Sequence, residues 1–203
     1  MGEQAAVRVR DLLRDSERPL EEGQSVLEFG CGCGRVLGPL ARLTRGVRFF
    51  GTDVDREAIA WCTANLPFGS FESNSELPPL GYEDAAFDVI YCISVFTHLD
   101  DLHTRAWLRE LKRVLKPGGT LLLTVHGEHV WASLSEDKQK AVLDRGYLFE
   151  TTEKLKGIQP AWYQTSYHAS GYIWSLVAEE FDVIGQTPQG MGYQDVIVAA
   201  KAG

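Results

Sequence analysis

The 203-residue sequence lacks any apolar run long enough to cross a bilayer, so we expect no membrane partner. Its first residues also lack the basic and apolar regions of a secretory signal peptide. Positive charge is in short supply, with 20 Lys and Arg against 28 Asp and Glu and a net charge of −8. Because no basic stripe is available to neutralise phosphates, we expect no nucleic-acid partner and favour a small-molecule ligand.

Cysteine is also scarce, and the four cysteines lie in apolar segments or in the glycine-rich stretch described below. They read as reduced, packed residues, which predicts a cytoplasmic protein. Cys31 and Cys33 could form half of a metal site. No second Cys or His pair follows at a suitable spacing, so we expect no metal.

The stretch VLEFGCGCG at residues 26–34 is the most informative in the chain. It predicts a strand that ends at Phe29, followed by Gly30, Gly32 and Gly34 and then a helix. Glycines at such a turn allow sharp bending and a close approach of ligand to backbone. The first amides of the following helix would then face the ligand, which predicts a nucleotide-type molecule above the strand end.

The spacing of these glycines differs from a dinucleotide fingerprint, in which the third glycine would fall at Arg35. Glu28, just before the turn, would place negative charge near the ligand. A pyrophosphate would be repelled there, whereas a cation would be attracted. This favours S-adenosylmethionine, which carries a sulfonium and an ammonium group and has no phosphate, over NAD.

Four segments together resemble the class I S-adenosylmethionine-dependent methyltransferases, over about Ser25 to Lys201. The segments are VLEFGCGCGRVLGPLA, FFGTDVDREAIAWCTANL, FDVIYCISVFTHL and LRELKRVLKPGGTLLLTVHG. Their order and separations match those of the family. The resemblance implies a Rossmann-like methyltransferase fold, S-adenosyl-L-methionine as cofactor and S-adenosyl-L-homocysteine as product.

The pattern of apolar runs and helical stretches independently predicts an α/β fold, with a doubly wound, seven-stranded, mostly parallel sheet. The last two strands are too close in sequence for a helical crossover, so the last strand should be antiparallel. We expect one domain over residues 1–203, with a short N-terminal helix at about 4–15 and an acceptor-pocket insertion at about 147–170. The predicted strands are Ser25–Phe29, Val47–Thr52, Ser70–Ser73, Phe87–Ser94, Thr120–His126, Phe181–Gln186 and Asp195–Lys201.

Ligands of open α/β sheets bind beyond the carboxyl ends of the strands, which locates the candidate cofactor residues. Asp53, after the second strand, has two acceptor oxygens for the ribose hydroxyls; its rival Asp55 suits a helix N-cap. By the family pattern, the turn faces the amino-acid part, Val54 the adenine, Asn74 or Ser75 the adenine amino group, and Ile93 and Ser94 the methionine end. The predicted cofactor residues are Glu28, Gly30, Cys31, Gly32, Gly34, Asp53, Val54, Asn74, Ser75, Ile93 and Ser94.

Histidines supply the candidate catalytic bases, which matter only if the acceptor must lose a proton. His126 ends the fifth strand, His98 follows the fourth, and His168 lies in the aromatic segment WYQTSYHASGYIW. His98 could instead stabilise the start of the next helix. Trp162, Tyr163 and Tyr167 are candidate acceptor-pocket residues, with core packing as the alternative.

The sequence therefore predicts a methyltransferase acting on oxygen or nitrogen of a small-molecule acceptor, with glycan or secondary-metabolite biosynthesis as a setting. A non-catalytic S-adenosylmethionine-binding regulatory or scaffold module is the alternative, and a nicotinamide-dependent oxidoreductase is disfavoured. About twenty-four residues precede the first strand, which is short for a lid. The pocket is then open, or the chain is part of a longer protein, or a homodimer or fusion partner covers it.

Overall fold

The computed structural model describes residues 2–151 and 163–203. Strands and helices alternate along most of this length. The strands are β1 (Ser25–Phe29), β2 (Arg48–Asp53), β3 (Gly69–Ser73), β4 (Phe87–Cys92), β5 (Leu115–Val125), β6 (Tyr147–Glu150), β7 (Thr165–His168), β8 (Asp182–Met191) and β9 (Gln194–Ala200). The helices are α1 (Gly2–Asp15), α2 (Leu37–Leu43), α3 (Arg56–Asn65), α4 (Asp101–Val114), α5 (Glu128–Trp131), α6 (Glu136–Arg145) and α7 (Ser170–Ala178).

Seven strands form one sheet in the order β3-β2-β1-β4-β5-β9-β8. The pairs from β3 to β5 are parallel, and β9 runs antiparallel to both β5 and β8. The predicted Rossmann-like sheet with an antiparallel last strand is therefore confirmed. From β1 the chain adds β2 and β3 on one side and then β4 and β5 on the other, so the strand order switches between β1 and β4. The carboxyl ends of these two strands open the crevice in which such folds bind ligands.

Helices cover both faces of the sheet, as a doubly wound fold requires. One buried apolar cluster joins the strands to α4 and α7, and a second joins them to α1 and α2. In β1, Leu27 belongs to the first cluster and Val26 to the second, and neither is exposed. Each such side chain contributes about 1.5–3 kcal/mol of burial, which fixes the strand ends that carry the site.

Several element bounds differ from the predicted ones. The fourth strand ends at Cys92 rather than Ser94, because Ser94 has φ +58° and its amide donates to Thr124 Oγ1 at 2.8 Å. The sixth predicted strand extends to Met191, since its hairpin partner β9 pairs up to Gln194. The helix after the glycine turn begins at Leu37 and not at Arg35.

The predicted insertion contains elements that the sequence patterns did not indicate. Strands β6 and β7 form a separate antiparallel pair within it, and the single-turn helix α5 precedes it in the chain. The Gln164 amide donates to the His98 carbonyl at 3.0 Å, and the Ser166 amide donates to the Thr97 carbonyl at 2.9 Å. These bonds, with the Leu99–Tyr163 bridge, tie the insertion to the segment that follows β4.

Across residues 2–151 and 163–203, no helix combines the length and apolarity that a bilayer crossing requires.

Candidate active site

The glycine turn is built as the sequence predicts, at the carboxyl end of β1. The amides of Gly30 and Cys31 both donate to the Thr52 carbonyl, at 2.8 and 3.1 Å. Gly30 has φ +80°, and a Cβ there would lie 2.2 Å from Val95 Cγ2. Gly32 has φ +51°, and a Cβ there would meet no described atom within 4 Å. Gly30 is therefore needed for packing, whereas Gly32 leaves bare backbone facing open space.

Glu28 lies beneath the turn and is 3% exposed. Its Oε2 accepts from the Tyr91 hydroxyl at 3.0 Å and from the Leu37 amide at 3.1 Å, so it joins β1 to the start of α2. Burial raises the pKa of Glu28 to about 8, although both hydrogen bonds act in the opposite direction. Burial therefore favours the neutral form of this carboxyl near pH 7, which differs from the fixed negative charge that the sequence argument assigned to it.

Asp53 ends β2 and lies at the wall of a cavity above the glycine turn, called the main cavity below. Its Oδ2 accepts from the Gly32 amide at 2.7 Å, and its Oδ1 accepts from the Asp55 amide at 2.9 Å. Each carboxylate oxygen retains a second acceptor position for a ligand hydroxyl. Asp55 instead caps α3 by accepting from the Glu57 and Ala58 amides, as its N-cap alternative predicted.

The predicted adenine residues lie beside a narrow cleft of about 50 Å³ next to Asp53. Val54 and Asn74 line it, and Val54 is 45% exposed. Asn74 Oδ1 accepts from Thr52 Oγ1 at 2.9 Å, and its Nδ2 donates to the Ser75 carbonyl at 2.7 Å. Ser75 is exposed and contacts Asn74 through that carbonyl. Of the two alternatives at this position, the structure brings Asn74 to the cleft.

The main cavity above the turn has a volume of about 310 Å³. Ile93 and Ser94 line it after β4, opposite the glycines. Gln194 holds Ser94 in place, because its Nε2 donates to Ser94 Oγ at 2.9 Å. The predicted cofactor residues on its wall are Glu28, Gly30, Cys31, Gly32, Asp53, Ile93 and Ser94. Gly34 is buried behind the turn, where a Cβ would lie 2.5 Å from Leu66 Cδ1.

His98 lies on the wall of this cavity, and His126 lies behind it. Their ring centroids are 6.3 Å apart. His98 Nδ1 is 2.5 Å from the Gln164 carbonyl, and His126 Nδ1 is 3.2 Å from the Ser166 carbonyl. Since a carbonyl oxygen only accepts, we assign the proton to Nδ1 in both rings, and each Nε2 then carries a lone pair. Burial lowers the pKa of both imidazoles, so they are neutral bases at pH 7.

The structure does not bring His168 to the cavity. It is 1% exposed, both ring nitrogens lack a hydrogen-bond partner among the described residues, and the ring packs against Tyr147 and Tyr172. Burial lowers the pKa of His168 to about 3. The aromatic segment places this residue in the protein interior, which argues against its predicted catalytic role.

Of the predicted acceptor-pocket residues, Tyr163 reaches the site. It lines both the main cavity and the narrow cleft, and its ring stacks on His98 with centroids 4.7 Å apart. Tyr167 packs against His126 with centroids 5.7 Å apart. Trp162 lies outside the described residues.

Sequence reasoning missed Val95 and Gln194. Val95 lines both cavities and fills the space that Gly30 leaves. It directly follows Ser94 in the segment FDVIYCISVFTHL, so this position could have predicted that Val95 lies at the site. Gln194 reaches Ser94 from 100 positions away, through the antiparallel return of β9. No local pattern could reveal that contact.

The cysteines do not form a metal centre in the part of the chain that the structure describes, where no group of three or more His, Cys, Asp or Glu side chains is arranged to hold an ion. Cys31 is buried, whereas Cys33 is exposed. The sulfhydryls of Cys31 and Cys62 both lie near the Gly32 carbonyl, at 3.6 and 3.4 Å, so they pack beneath the turn.

This sheet order, with a cavity above a glycine turn at the switch point, defines an open α/β fold of the ligand-binding kind. A family model described as a methyltransferase domain matches residues 1–183. The chain therefore belongs to this methyltransferase family, whose cofactor is S-adenosylmethionine.

Individual relatives agree with this assignment. An uncharacterised 37.1 kDa transposon protein of Streptomyces fradiae is 34% identical over 137 residues, which cover 66% of this chain and 38% of the relative. The O-methyltransferase resE of Aspergillus sclerotiorum is 33% identical over 111 residues, which cover 50% of this chain and 39% of the relative. This chain thus matches about two fifths of the length of these relatives. A SAM-dependent methyltransferase structure from Methanosarcina mazei superimposes with a TM-score of 0.66 at 20% identity, covering 94% and 97% of the two chains.

Proposed function

We propose that this protein transfers a methyl group from S-adenosyl-L-methionine to an oxygen or nitrogen atom of a small-molecule acceptor. The observation that carries the proposal is the position of His98. A neutral imidazole, oriented by the Gln164 carbonyl, borders the same cavity as the glycine turn and Asp53. A module that only bound the cofactor would have no need of a positioned base there.

The residues present fit this cofactor. Asp53 offers free acceptor positions suited to two ribose hydroxyls, and Gly32 leaves the backbone bare. Val54 offers an apolar side chain to the adenine, and Asn74 offers amide groups near it. The main cavity continues from Asp53 to Ile93 and Ser94, which would border the methionine end.

The chemistry divides between cofactor and protein. When bound, S-adenosylmethionine supplies an electrophilic methyl group on a sulfonium. His98 Nε2 would take the proton that the acceptor oxygen or nitrogen gives up on methylation, and the electron pair of the broken carbon–sulfur bond would stay with the cofactor's sulfur. Asp53 and the glycine turn would hold the donor in place for an acceptor aligned with it, and such alignment is the main contribution a protein makes to this displacement. His126 packs against Tyr167 behind His98 and supports the orientation of the His98 ring.

The setting is also part of the proposal. We expect a single domain acting in the cytoplasm, with an acceptor from glycan or secondary-metabolite biosynthesis. A second copy of the chain or a fused segment would cover the side of the cavity near the short N-terminal helix. The excess of acidic residues disfavours a nucleic-acid acceptor.

We expect His98→Asn to lower turnover by about 100-fold with little change in affinity for S-adenosylhomocysteine, because an asparagine amide can keep the donor to the Gln164 carbonyl but cannot accept a proton. His126→Asn should cause a smaller loss. The measurement combines transfer of a labelled methyl group to an acceptor panel with calorimetric titration of S-adenosylhomocysteine.

His129→Asn is the matched control, since His129 is exposed and lies on α5, away from the cavity. Wild-type activity should also fall as the pH drops through the lowered pKa of His98. Full turnover in His98→Asn would contradict the role of His98 as the base. Binding of cofactor without transfer to any member of a broad panel would favour the non-catalytic module instead.

A further inference from the structure

A second cavity of about 480 Å³ lies next to the main cavity above the glycine turn. Its walls come from the start of α1, the segment after the glycine turn and the hairpin that joins β8 to β9. Arg35, Val36 and Ile93 line both cavities. Because Ile93 borders the expected methionine end, a molecule in the second cavity would lie beside the methyl group to be transferred.

The charge of this cavity is opposite to that of the protein. Two guanidinium groups, those of Arg8 and Arg35, line it, and no Asp or Glu is among its described lining residues. On the same helix, Arg10 pairs with Asp11 at 2.9 Å and Arg14 with Asp15 at 3.3 Å. Neither Arg8 nor Arg35 forms an ion pair within the described part of the chain. A local excess of two positive charges on a protein of net charge −8 favours an anionic ligand.

Arg8 is held in position by the fold. Its Nε donates to the Gly190 carbonyl at 2.6 Å, which joins α1 to the end of β8. This contact leaves both terminal amino groups of the guanidinium available, and such a planar pair of donors matches the two oxygens of a carboxylate. Side chains of Ala5, Met191 and the shared Val36 supply apolar surface around it.

We propose that this cavity is the acceptor site and that it selects acceptors with an apolar body and a carboxylate group. The inference rests on the proposed function, because it assigns the substrate class of that same reaction. The carboxylate serves as an anchor on Arg8 and Arg35, and the methylated atom is elsewhere on the acceptor. The carboxylate of the cofactor itself is the competing occupant, and the experiment separates the two.

The probes are benzoate and its neutral counterpart benzamide, titrated by calorimetry into the protein with and without saturating S-adenosylhomocysteine. Benzoate should bind about tenfold more tightly than benzamide to the wild type, a comparison that needs no variant. Arg8→Gln should weaken benzoate binding about tenfold and leave the affinity for S-adenosylhomocysteine within about twofold. Arg14→Gln, an exposed arginine on the same helix, should change neither affinity.

Equal affinity for benzoate and benzamide, or no benzoate binding at millimolar concentration, would overturn the proposal. A tenfold loss of S-adenosylhomocysteine affinity in Arg8→Gln would also overturn it, since the cavity would then hold the cofactor's carboxylate. Failure of the proposed function has a different signature, because no member of the acceptor panel would then be methylated, while benzoate titration still reports on the Arg8 cavity.

Discussion

The stability of the Glu28→Gln variant should fall much less than that of the wild type as the pH rises toward about 8. Burial raises the pKa of Glu28 to about 8 from an ordinary value of 4.5, so the native state holds a proton that the unfolded chain has released. Between these two values the native state binds more protons, and its stability falls as the pH rises. The stabilising effect of that bound proton is complete below about pH 4.5 and is lost as the pH passes about 8.

Linkage gives the size of this effect. The free energy of unfolding of the wild type should drop by about 2–3 kcal/mol between about pH 6 and about pH 9, beyond any loss seen in the variant. A glutamine carbonyl can still accept from the Tyr91 hydroxyl and the Leu37 amide, so the fold is kept. Denaturant unfolding at several pH values measures the difference.

Glu83→Gln is the matched control, since Glu83 is exposed and the same charge is removed without altering a buried group. It should retain the wild-type slope of stability against pH. If Glu28→Gln also kept that slope, the carboxyl would be ionised in the native state, and the sequence argument for a fixed negative charge beneath the turn would be restored.

Asp53→Ala should weaken binding of S-adenosylhomocysteine by about 2–3 kcal/mol, or about 30- to 150-fold. The carboxylate is the group we assign to the ribose hydroxyls, and hydrogen bonds to a charged acceptor are the stronger kind. Its removal also frees the Gly32 amide, which Asp53 holds at 2.7 Å. Calorimetric titration of wild type and variant gives the two affinities directly.

Asp55→Ala separates ligand binding from stability. Asp55 lies two residues away and caps α3, so its loss should reduce the free energy of unfolding by about 1 kcal/mol. Its effect on cofactor affinity should be small. Comparable losses of affinity in Asp53→Ala and Asp55→Ala would show that neither carboxylate contacts the ligand and that both act through the turn.

The fold could be predicted from the sequence because its strongest signals are local. Buried parallel strands read as continuous apolar runs, as in residues 89–92 of β4, and the helix Arg56–Asn65 begins directly after its N-cap residue Asp55. The small β6–β7 sheet was not predicted, because each strand has only four residues and all four residues of β6 are half-buried. Such short strands leave little hydrophobic pattern to detect. Its position depends on backbone hydrogen bonds from residues 164 and 166 to the segment after β4, which is distant in the sequence.

The candidate site shows the same division. Asp53 and Gly32 were predicted from their places at a strand end and in the glycine-rich stretch, together with the family resemblance, and the structure brings them to one cavity. The charge state of Glu28 could not be predicted, because it depends on how completely the packed turn excludes water. Arg8 and Arg35 line the same cavity because the start of α1 packs beside the segment that follows the glycine turn, so no sequence motif contains them both.

Calorimetric titration of the protein with S-adenosylhomocysteine and, separately, with NAD tests the central claim most directly. The paired acceptor oxygens of Asp53 predict binding of an adenosine ribose. The glycine spacing and the family match predict that the ligand is S-adenosylhomocysteine, with no detectable binding of the dinucleotide. Binding of NAD without S-adenosylhomocysteine would contradict the account, since a diphosphate would then occupy the turn beside Glu28.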